Sequence, residues 1–326
     1  MILKDLIFKA LYFLFFLFLG LYVIIYLYKK CIAHMQSRRG PLHTGFHGTL
    51  QILSETLKLL LKSPKLFLKD QDLPGTIGAV ISIMFAIVAF LMIPLTEDIF
   101  LMDVEMSLPL CLSFIMVSCI SAFFSINKVE LKTNQITGLL DRMSTMLTFS
   151  VPLFISSIGP VTAASSFNLF EIVRSQSHFY NILYQPLSMF VFLFTCLLLW
   201  QRLPLDMSLK DSFFRIDYLS IQTGLNYLMF SISEYINILS LSILATLLFL
   251  GGWNGPNFLH PILWTIIKTI ILQVILLFLY TIISKIEGFN RKINLNLVFF
   301  CSLSLLNLLI VIFVVLYLKP VFKLGL

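Results

Sequence analysis

The sequence predicts an all-α polytopic membrane protein with about eight transmembrane helices and one amphipathic helix at the membrane interface. Of its 326 residues, 59% are hydrophobic and only 12% are charged, and its mean hydropathy is +0.96. Soluble domains carry about 25% charged residues, so the chain is built to face hydrocarbon. One crossing needs about 20 apolar residues. The length therefore leaves no room for a large soluble catalytic domain.

Eight apolar runs are long enough to cross a bilayer or nearly so. They cover about residues 6–27, 75–95, 106–126, 146–167, 182–200, 225–250, 262–283 and 296–318. The first run is too long for the apolar part of a signal peptide, and Lys29-Lys30 ends it. We therefore expect a retained first helix and treat residues 1–326 as one transmembrane domain.

The basic residues predict the orientation of these spans. Seventeen of the 23 Lys and Arg residues lie in alternate connections: eight in 28–74 and three each in the third, fifth and seventh. Cytoplasmic or matrix loops of membrane proteins are enriched in Lys and Arg. The odd-numbered loops are therefore predicted to face the cytoplasm or mitochondrial matrix, and both termini the opposite side.

An amphipathic helix is predicted over about residues 46–63, in the first of these loops. Leucines recur there at helical spacing, while Glu55, Lys58 and Lys62 lie off that stripe. Such a helix lies in the interface, with its apolar face in the acyl region or against neighbouring helices. The stripe consists of Leu50, Leu53, Leu57, Leu60 and Leu61.

The cysteines and histidines give no sign of a metal or redox site. The five cysteines form no CxxC pair and are interpreted as apolar filling. His43 and His47 are four residues apart, but Gly45 and Gly48 disfavour a helix there and no third ligand is near. We interpret both as loop histidines.

Two ionisable residues inside predicted spans are functional candidates. Glu234 lies in the sixth span, where an ionisable group is costly and marks function by default. Burial would favour its neutral form and allow proton exchange; the alternative is a hydrogen-bonded carboxyl at the interface. Lys268, in the seventh span, has a similar functional interpretation and a structural one, a lysine that extends its ammonium group to the interface.

Two inner loops carry concentrated polar residues. The fifth contains Arg202, Asp206, Lys210, Asp211, Arg215 and Asp217, and is either a platform for a partner or polar head group, or a solvated loop. The first contains Arg38 and Arg39 beside the turn signal Gly40-Pro41. A basic turn at a membrane surface commonly meets anionic lipid head groups.

Three segments together resemble one family. They are HMQSRRGPLHTGFHGTLQILSETLKLLLKSP, RLPLDMSLKDSFFRIDYLSIQTGLNYLMFSISEYINI, and LFLGGWNGP followed by LHPILWTIIKT. They are similar to the patterns of the quinone-site membrane subunit of NADH:quinone oxidoreductase, or respiratory complex I, which is called subunit 1 in the mitochondrial enzyme. Thr223-Gly224 matches the family's Ser-Gly, and the glutamate of its Ala-Glu-Tyr-x-Asn-Ile falls on Glu234.

This resemblance implies a role that composition does not reveal. Ubiquinone would enter a chamber shared with two peripheral-arm subunits and be reduced there, and acidic residues of this chain would couple that reduction to proton translocation. NADH, FMN and iron–sulfur clusters would bind only to partner subunits, and the isolated chain would perform no redox chemistry. The implied chamber residues are Gln36, Arg38, Arg39, Pro41, Arg202, Asp206 and Asp211, and the implied relay residues are Glu55 and Glu234.

The chain also departs from the family pattern at several acidic positions. Tyr28, Ser150, Leu209, Phe213 and Ile221 stand where the family usually has acids. Asp141, Asp217 or water would then have to substitute in the relay, or the chain keeps the chamber while losing part of the relay.

The resemblance implies other complex I subunits and membrane lipids as partners, and no nucleic acid. The expected location is the mitochondrial inner membrane, with a bacterial plasma membrane as the alternative. Two other functions stay open: the membrane anchor of an energy-converting hydrogenase, and a secondary ion transporter that uses Glu234 and Lys268. No internal repeat typical of such transporters is visible.

Overall fold

The computed structural model describes residues 2–35, 37, 39–42, 44–61, 73–121, 133–177, 179–199, 224–256, 259–284 and 293–317. Within these ranges the chain forms helices and turns and no β-strand. The helices are α1 (Ile2–Met35), α2 (Gln51–Leu61), α3 (Leu73–Leu91), α4 (Ser107–Ile120), α5 (Thr133–Ala164), α6 (Leu169–Arg174), α7 (Asn181–Tyr184), α8 (Pro186–Leu199), α9 (Leu225–Phe249), α10 (Pro261–Ser284) and α11 (Ile293–Tyr317).

Each predicted span overlaps one long helix, in the order α1, α3, α4, α5, α8, α9, α10 and α11. In the described part of the chain, five of them (α1, α3, α5, α9 and α10) contain an apolar stretch of at least 18 residues, long enough to cross a bilayer. The apolar stretches of α4, α8 and α11 are shorter. The chain is a polytopic membrane protein.

Several helix bounds differ from the predicted ones: α1 continues to Met35, α4 ends at Ile120 and α5 already begins at Thr133. Two further differences have a local cause. In the fifth span, Gln185 separates α7 from α8, because Pro186 has no N–H and disfavours a helical conformation in the residue before it. The amphipathic helix begins at Gln51, since a short 3₁₀ turn with a positive φ at His47 occupies Phe46–Gly48. The predicted end of this helix lies outside the described residues.

Helix α9 lies at the centre of the described structure. It packs against α3, α1, α10 and α8, and from Tyr235 to Phe249 every residue is buried. A helix surrounded by other helices needs no uniformly apolar surface. α9 accordingly carries Ser233, Asn237, Ser240, Ser242 and Thr246 in its interior-facing turns.

The outer helices expose apolar side chains, as a membrane protein requires. Phe8, Phe15 and Phe18 on α1 are all exposed, as are Ile271 and Phe278 on α10. These faces are suited to acyl chains because the bilayer, unlike water, does not penalise exposed apolar surface.

The leucine stripe of α2 points away from the protein. Leu50, Leu53, Leu57, Leu60 and Leu61 are all at least half exposed, whereas Ile52 is buried. Of the two environments predicted for this stripe, the acyl region fits this orientation and packing against the chain's own helices does not. The face of α2 that contacts α1 carries Glu55 instead.

Candidate functional site

A turn over residues 44–50 is held against the C-terminal half of α1 by tyrosine hydroxyls. Tyr22 donates to the Thr49 carbonyl at 2.9 Å, and Tyr26 donates to the His47 carbonyl at 3.3 Å. Lys30 donates to the Tyr26 oxygen at 2.7 Å and to the same His47 carbonyl at 3.3 Å. These bonds fix the start of α2 relative to α1.

Pro41 is placed by contact with this turn. Gly48 has a φ of +79°, and a Cβ there would lie 2.2 Å from the Pro41 carbonyl oxygen. Only glycine tolerates both the positive φ and this close backbone approach. Arg39 lies two residues before Pro41 and is exposed. The basic turn therefore lies beside the end of α1, accessible from outside the helix bundle.

Glu55 is bound by two partners. Its carboxylate forms an ion pair with Lys29 of α1 and accepts a hydrogen bond from Gln51 Nε2 at 3.0 Å. Partial burial acts to raise the pKa of Glu55, but the Lys29 and Gln51 hydrogen bonds and the Lys29 charge outweigh it, so the pKa is lowered from 4.5. Glu55 is therefore ionised at neutral pH while Lys29 stays in place.

Glu234 lies on α9 at the same end of the molecule as Lys29. The Tyr28 ring packs edge-on against the Tyr235 ring with centroids 6.0 Å apart, which brings residues 28–29 of α1 alongside residues 234–235 of α9. Glu234 is partly buried, within a helix that is otherwise almost fully covered. The two acidic residues singled out by sequence are thus carried by helices that both contact the end of α1.

Next to Glu234 lies a buried polar cluster that the sequence did not reveal. Ser82 of α3 and Ser233 of α9 share a hydrogen bond, with their oxygens 2.6 Å apart. Ser82 also donates to the Ser118 carbonyl at 3.1 Å, and Ser118 donates to the Ser82 carbonyl at 2.9 Å. Asn237 Nδ2 donates to the Ser118 oxygen at 2.9 Å. Four side chains from three helices therefore form one hydrogen-bonded unit.

Lys268 is bound at the other end of α9. Its ammonium donates to the carbonyls of Leu250, Gly252 and Asn254 at 2.8, 2.9 and 2.6 Å, and it lies 4.8 Å from the Tyr180 ring centroid. A cation at a helix C-terminus satisfies carbonyls that have no helical partner. The ammonium group thus extends to the loop after α9, which it closes by binding these three carbonyls.

The described residues include only part of the predicted site. Arg39, Pro41, Glu55 and Glu234 are described, and the first three lie near the end of α1. The remaining predicted residues, Gln36, Arg38, Arg202, Asp206 and Asp211, lie outside the described residues, as do Leu209, Phe213 and Ile221. Tyr28 and Ser150 are described, and the Ser150 hydroxyl donates to the Leu147 carbonyl of its own helix.

Sequence reasoning missed the Lys29–Glu55 pair, the serine–asparagine cluster and the binding of Lys268. The sequence carried one indication of the cluster: Asn237 follows Glu234 by three residues, within the segment that resembles the family's Ala-Glu-Tyr-x-Asn-Ile. The serines on α3 and α4 carry no comparable signal, because a lone serine in an apolar helix commonly bonds to its own backbone.

Comparison with known proteins identifies the chain's relatives. The profile of the NADH dehydrogenase family matches residues 8–312. The NADH-quinone oxidoreductase H subunit numbered 2 of Rhizobium etli is 29% identical over 252 residues, covering 74% of each chain. The H subunit of the NADH-quinone oxidoreductase of Dehalococcoides mccartyi is 29% identical over 308 residues, covering 92% of this chain and 84% of that protein.

Proposed function

Since the chain belongs to the NADH dehydrogenase family, we propose that it is the membrane subunit of an NADH-quinone oxidoreductase that borders the quinone chamber and couples quinone reduction to proton translocation. The observation that carries this proposal is the family match over residues 8–312, which includes the basic turn, α2 and all of α9. The relatives' names as quinone oxidoreductase subunits support quinone as the substrate.

The basic turn and the fifth loop form the chamber in this proposal. Arg39 is exposed beside the end of α1, and Pro41 is held in place by Gly48. An exposed guanidinium and a rigid turn are suited to bind a polar quinone head group and to guide it. The other chamber residues are Gln36, Arg38, Arg202, Asp206 and Asp211.

Glu55 and Glu234 are, in this proposal, the relay residues nearest the membrane interior. Glu55 is ionised while it is paired with Lys29, and opening that ion pair would remove the interactions that lower its pKa and so favour proton uptake. Glu234 lies deeper, where protonation and deprotonation would respond to changes in its surroundings. In this order, an event at the chamber first disturbs Lys29–Glu55 and then alters the charge near Glu234.

The redox groups belong to partners. The peripheral-arm subunits would hold FMN and the iron–sulfur clusters, and neighbouring membrane-arm subunits and lipids would cover the exposed helix faces. The inner face carries the odd-numbered loops. The proposed location is the mitochondrial inner membrane, with a bacterial plasma membrane as the alternative.

Purification from the native membrane tests the proposal. A tag on this chain, with extraction in mild detergent, should recover flavin- and iron–sulfur-containing subunits and NADH:quinone reductase activity. Recovery of the chain as a stable, active solitary protein would overturn the proposal. Recovery with a nickel-containing partner would assign the chain to an energy-converting hydrogenase instead.

A further inference from the structure

One acceptor in the serine–asparagine cluster is left open. Asn237 is only 5% exposed, and its Oδ1 atom is buried with no hydrogen-bond partner among the described residues. Its Nδ2 atom donates to Ser118 Oγ at 2.9 Å, which fixes the orientation of the amide, because Ser118 already uses its own hydrogen on the Ser82 carbonyl. A buried amide oxygen without a partner loses its hydrogen bonds to water and gains none in return, so native proteins normally supply a partner.

The neighbouring hydroxyls have two complete arrangements. In one, Ser233 donates to Ser82 and Ser82 donates to the Ser118 carbonyl. In the other, Ser82 donates to Ser233 and Ser233 donates to the Phe230 carbonyl at 2.8 Å. Both hydroxyl hydrogens are used in either arrangement, so the pair can reverse without losing a hydrogen bond.

The cluster lies beside Glu234 on the same helix. Ser233 is adjacent to it, and Asn237 follows it by three residues, a spacing that places two side chains on neighbouring positions of one helix face. Ser82, Ser118 and Ser233 are each at most 2% exposed. The site is thus dry of bulk solvent and uncharged, next to a residue assigned to proton transfer.

We propose that Asn237 Oδ1, Ser233 and Ser82 bind one water molecule that hydrates the Glu234 side chain within the membrane. Buried waters typically make about three hydrogen bonds to groups that would otherwise be unsatisfied. Here the water donates one hydrogen to Asn237 Oδ1 and the other to the Ser82 or Ser233 oxygen, which has a free lone pair in either arrangement of the serine pair. The water oxygen is therefore left to accept a hydrogen bond from protonated Glu234. This inference rests on the proposed function, because it gives Glu234 a proton-transfer partner.

A high-resolution cryo-EM map of the purified wild-type complex tests the site directly. We expect water density about 2.5–3.0 Å from Asn237 Oδ1. A map that resolves other buried waters but shows none here would overturn the proposal.

Variants test the role of this water in the complex reconstituted in liposomes. Asn237→Leu should lower the number of protons translocated per quinone reduced by about tenfold, which is less than the loss of about a hundredfold or more expected for removing a proton-transfer group itself, because Asn237 only holds the water in place. Thr246→Val is the matched control: its hydroxyl bonds within α9 to the Ile243 carbonyl, away from the cluster, and the proton-to-quinone ratio should not change. An unchanged ratio in Asn237→Leu would overturn the proposal.

Ser233→Ala keeps the test decisive if Asn237→Leu fails to assemble. It removes the reversible pair but leaves Asn237 in place, and it should lower the same ratio and weaken the water density. A wild-type complex that reduces quinone without moving protons, or that does not reduce it, would contradict the proposed function itself. Because this result comes from the wild-type complex alone, it distinguishes a failure of the proposed function from a failure of the water site.

Discussion

The two ends of α9 treat buried polar groups in opposite ways. At its C-terminal end the carbonyls of Leu247 and Leu248 accept amide hydrogens from Gln176 and Asn181 at 2.8 Å, and Lys268 binds three more carbonyls in the following loop. In its N-terminal half, by contrast, Asn237 Oδ1 has no partner among the described residues and the Ser82–Ser233 bond is reversible.

We therefore call the C-terminal end of α9, with the Lys268 loop, the structural end, and the half that carries Ser233, Glu234 and Asn237 the working end, because only that half combines an ionisable residue with a polar atom that has no partner among the described residues. At the C-terminal end the amide donors of Gln176 and Asn181 and the Lys268 ammonium are all paired with carbonyls, which fixes one arrangement, whereas an incompletely paired network next to an ionisable group allows more than one.

The working end also contacts Tyr28, which is next to Lys29 of the Lys29–Glu55 pair. At the structural end, the Trp253 ring packs against Phe170, and Phe170 in turn packs against Phe100. Substitutions at the two ends should therefore have different effects.

The largest expected effect is at the structural end. Lys268→Met removes the charged donor of three carbonyls and should destabilise the chain by on the order of 3 kcal/mol, since hydrogen bonds from charged groups are the costly ones to lose. The amount of assembled complex on native gels and the midpoint of thermal inactivation should both fall.

Lys9→Met is the control for charge removal. The Lys9 ammonium lies 4.5 Å from the Phe100 ring centroid, near the surface, and its loss should cost about 0.5–1 kcal/mol. Normal assembly and heat resistance in Lys268→Met would show that the bonds from Lys268 to the three carbonyls do not stabilise the protein, and the contrast between the two ends would be lost.

A smaller effect is expected at the turn beside the proposed chamber. Gly48→Ala forces a methyl group against the Pro41 carbonyl at a positive φ, so residues 39–41 must move. We expect the KM for quinone to rise by about tenfold, equivalent to about 1.4 kcal/mol, while the complex still assembles.

Gly40→Ala provides the comparison within the same turn. A Cβ on Gly40 would lie 3.3 Å from the Ala33 Cβ, which a small shift can relieve. If Gly48→Ala and Gly40→Ala have the same KM for quinone, the position of this turn does not affect quinone binding, and the turn is not part of the quinone site.

The smallest effect concerns Lys29 and Glu55. Both side chains are partly exposed, so a double-mutant cycle with Lys29→Met and Glu55→Gln should give a coupling of about 0.2–1 kcal/mol. A carboxylate with a lowered pKa stabilises the folded state above its ordinary pKa of 4.5 and loses this contribution as the pH falls through the lower, folded value.

The coupling between Lys29 and Glu55 should therefore stay constant from pH 6 to pH 8, measured as the difference in thermal midpoint. A coupling that changes across this range would mean that Glu55 titrates at rest and is not locked by Lys29.

The helices of this protein were predictable because the bilayer imposes a length and a composition on each span. All eight apolar runs overlap helices, and the leucine stripe of α2 was visible from its spacing alone. Glu234 was also found from sequence, because an ionisable residue in a long apolar run stands out.

The partners of these residues were not predictable, because periodicity within one helix does not say which helix packs beside it. Lys29 and Glu55 are 26 residues apart, and Ser82 and Ser233 are 151 apart. The binding of Lys268 was missed for the same reason. Its position in a span suggested either ion coupling or extension to the interface, while its acceptors are backbone carbonyls that no side-chain pattern marks.

Glu234 carries the central claim, and one measurement tests it most directly: protons translocated per quinone reduced by the Glu234→Gln complex in liposomes. We predict an assembled complex whose ratio is lowered by about tenfold or more, because glutamine keeps the size of the side chain and removes its exchangeable acidic proton. A Glu234→Gln complex with the wild-type ratio would show that proton coupling bypasses α9, and it would contradict the assignment of a working end to this helix.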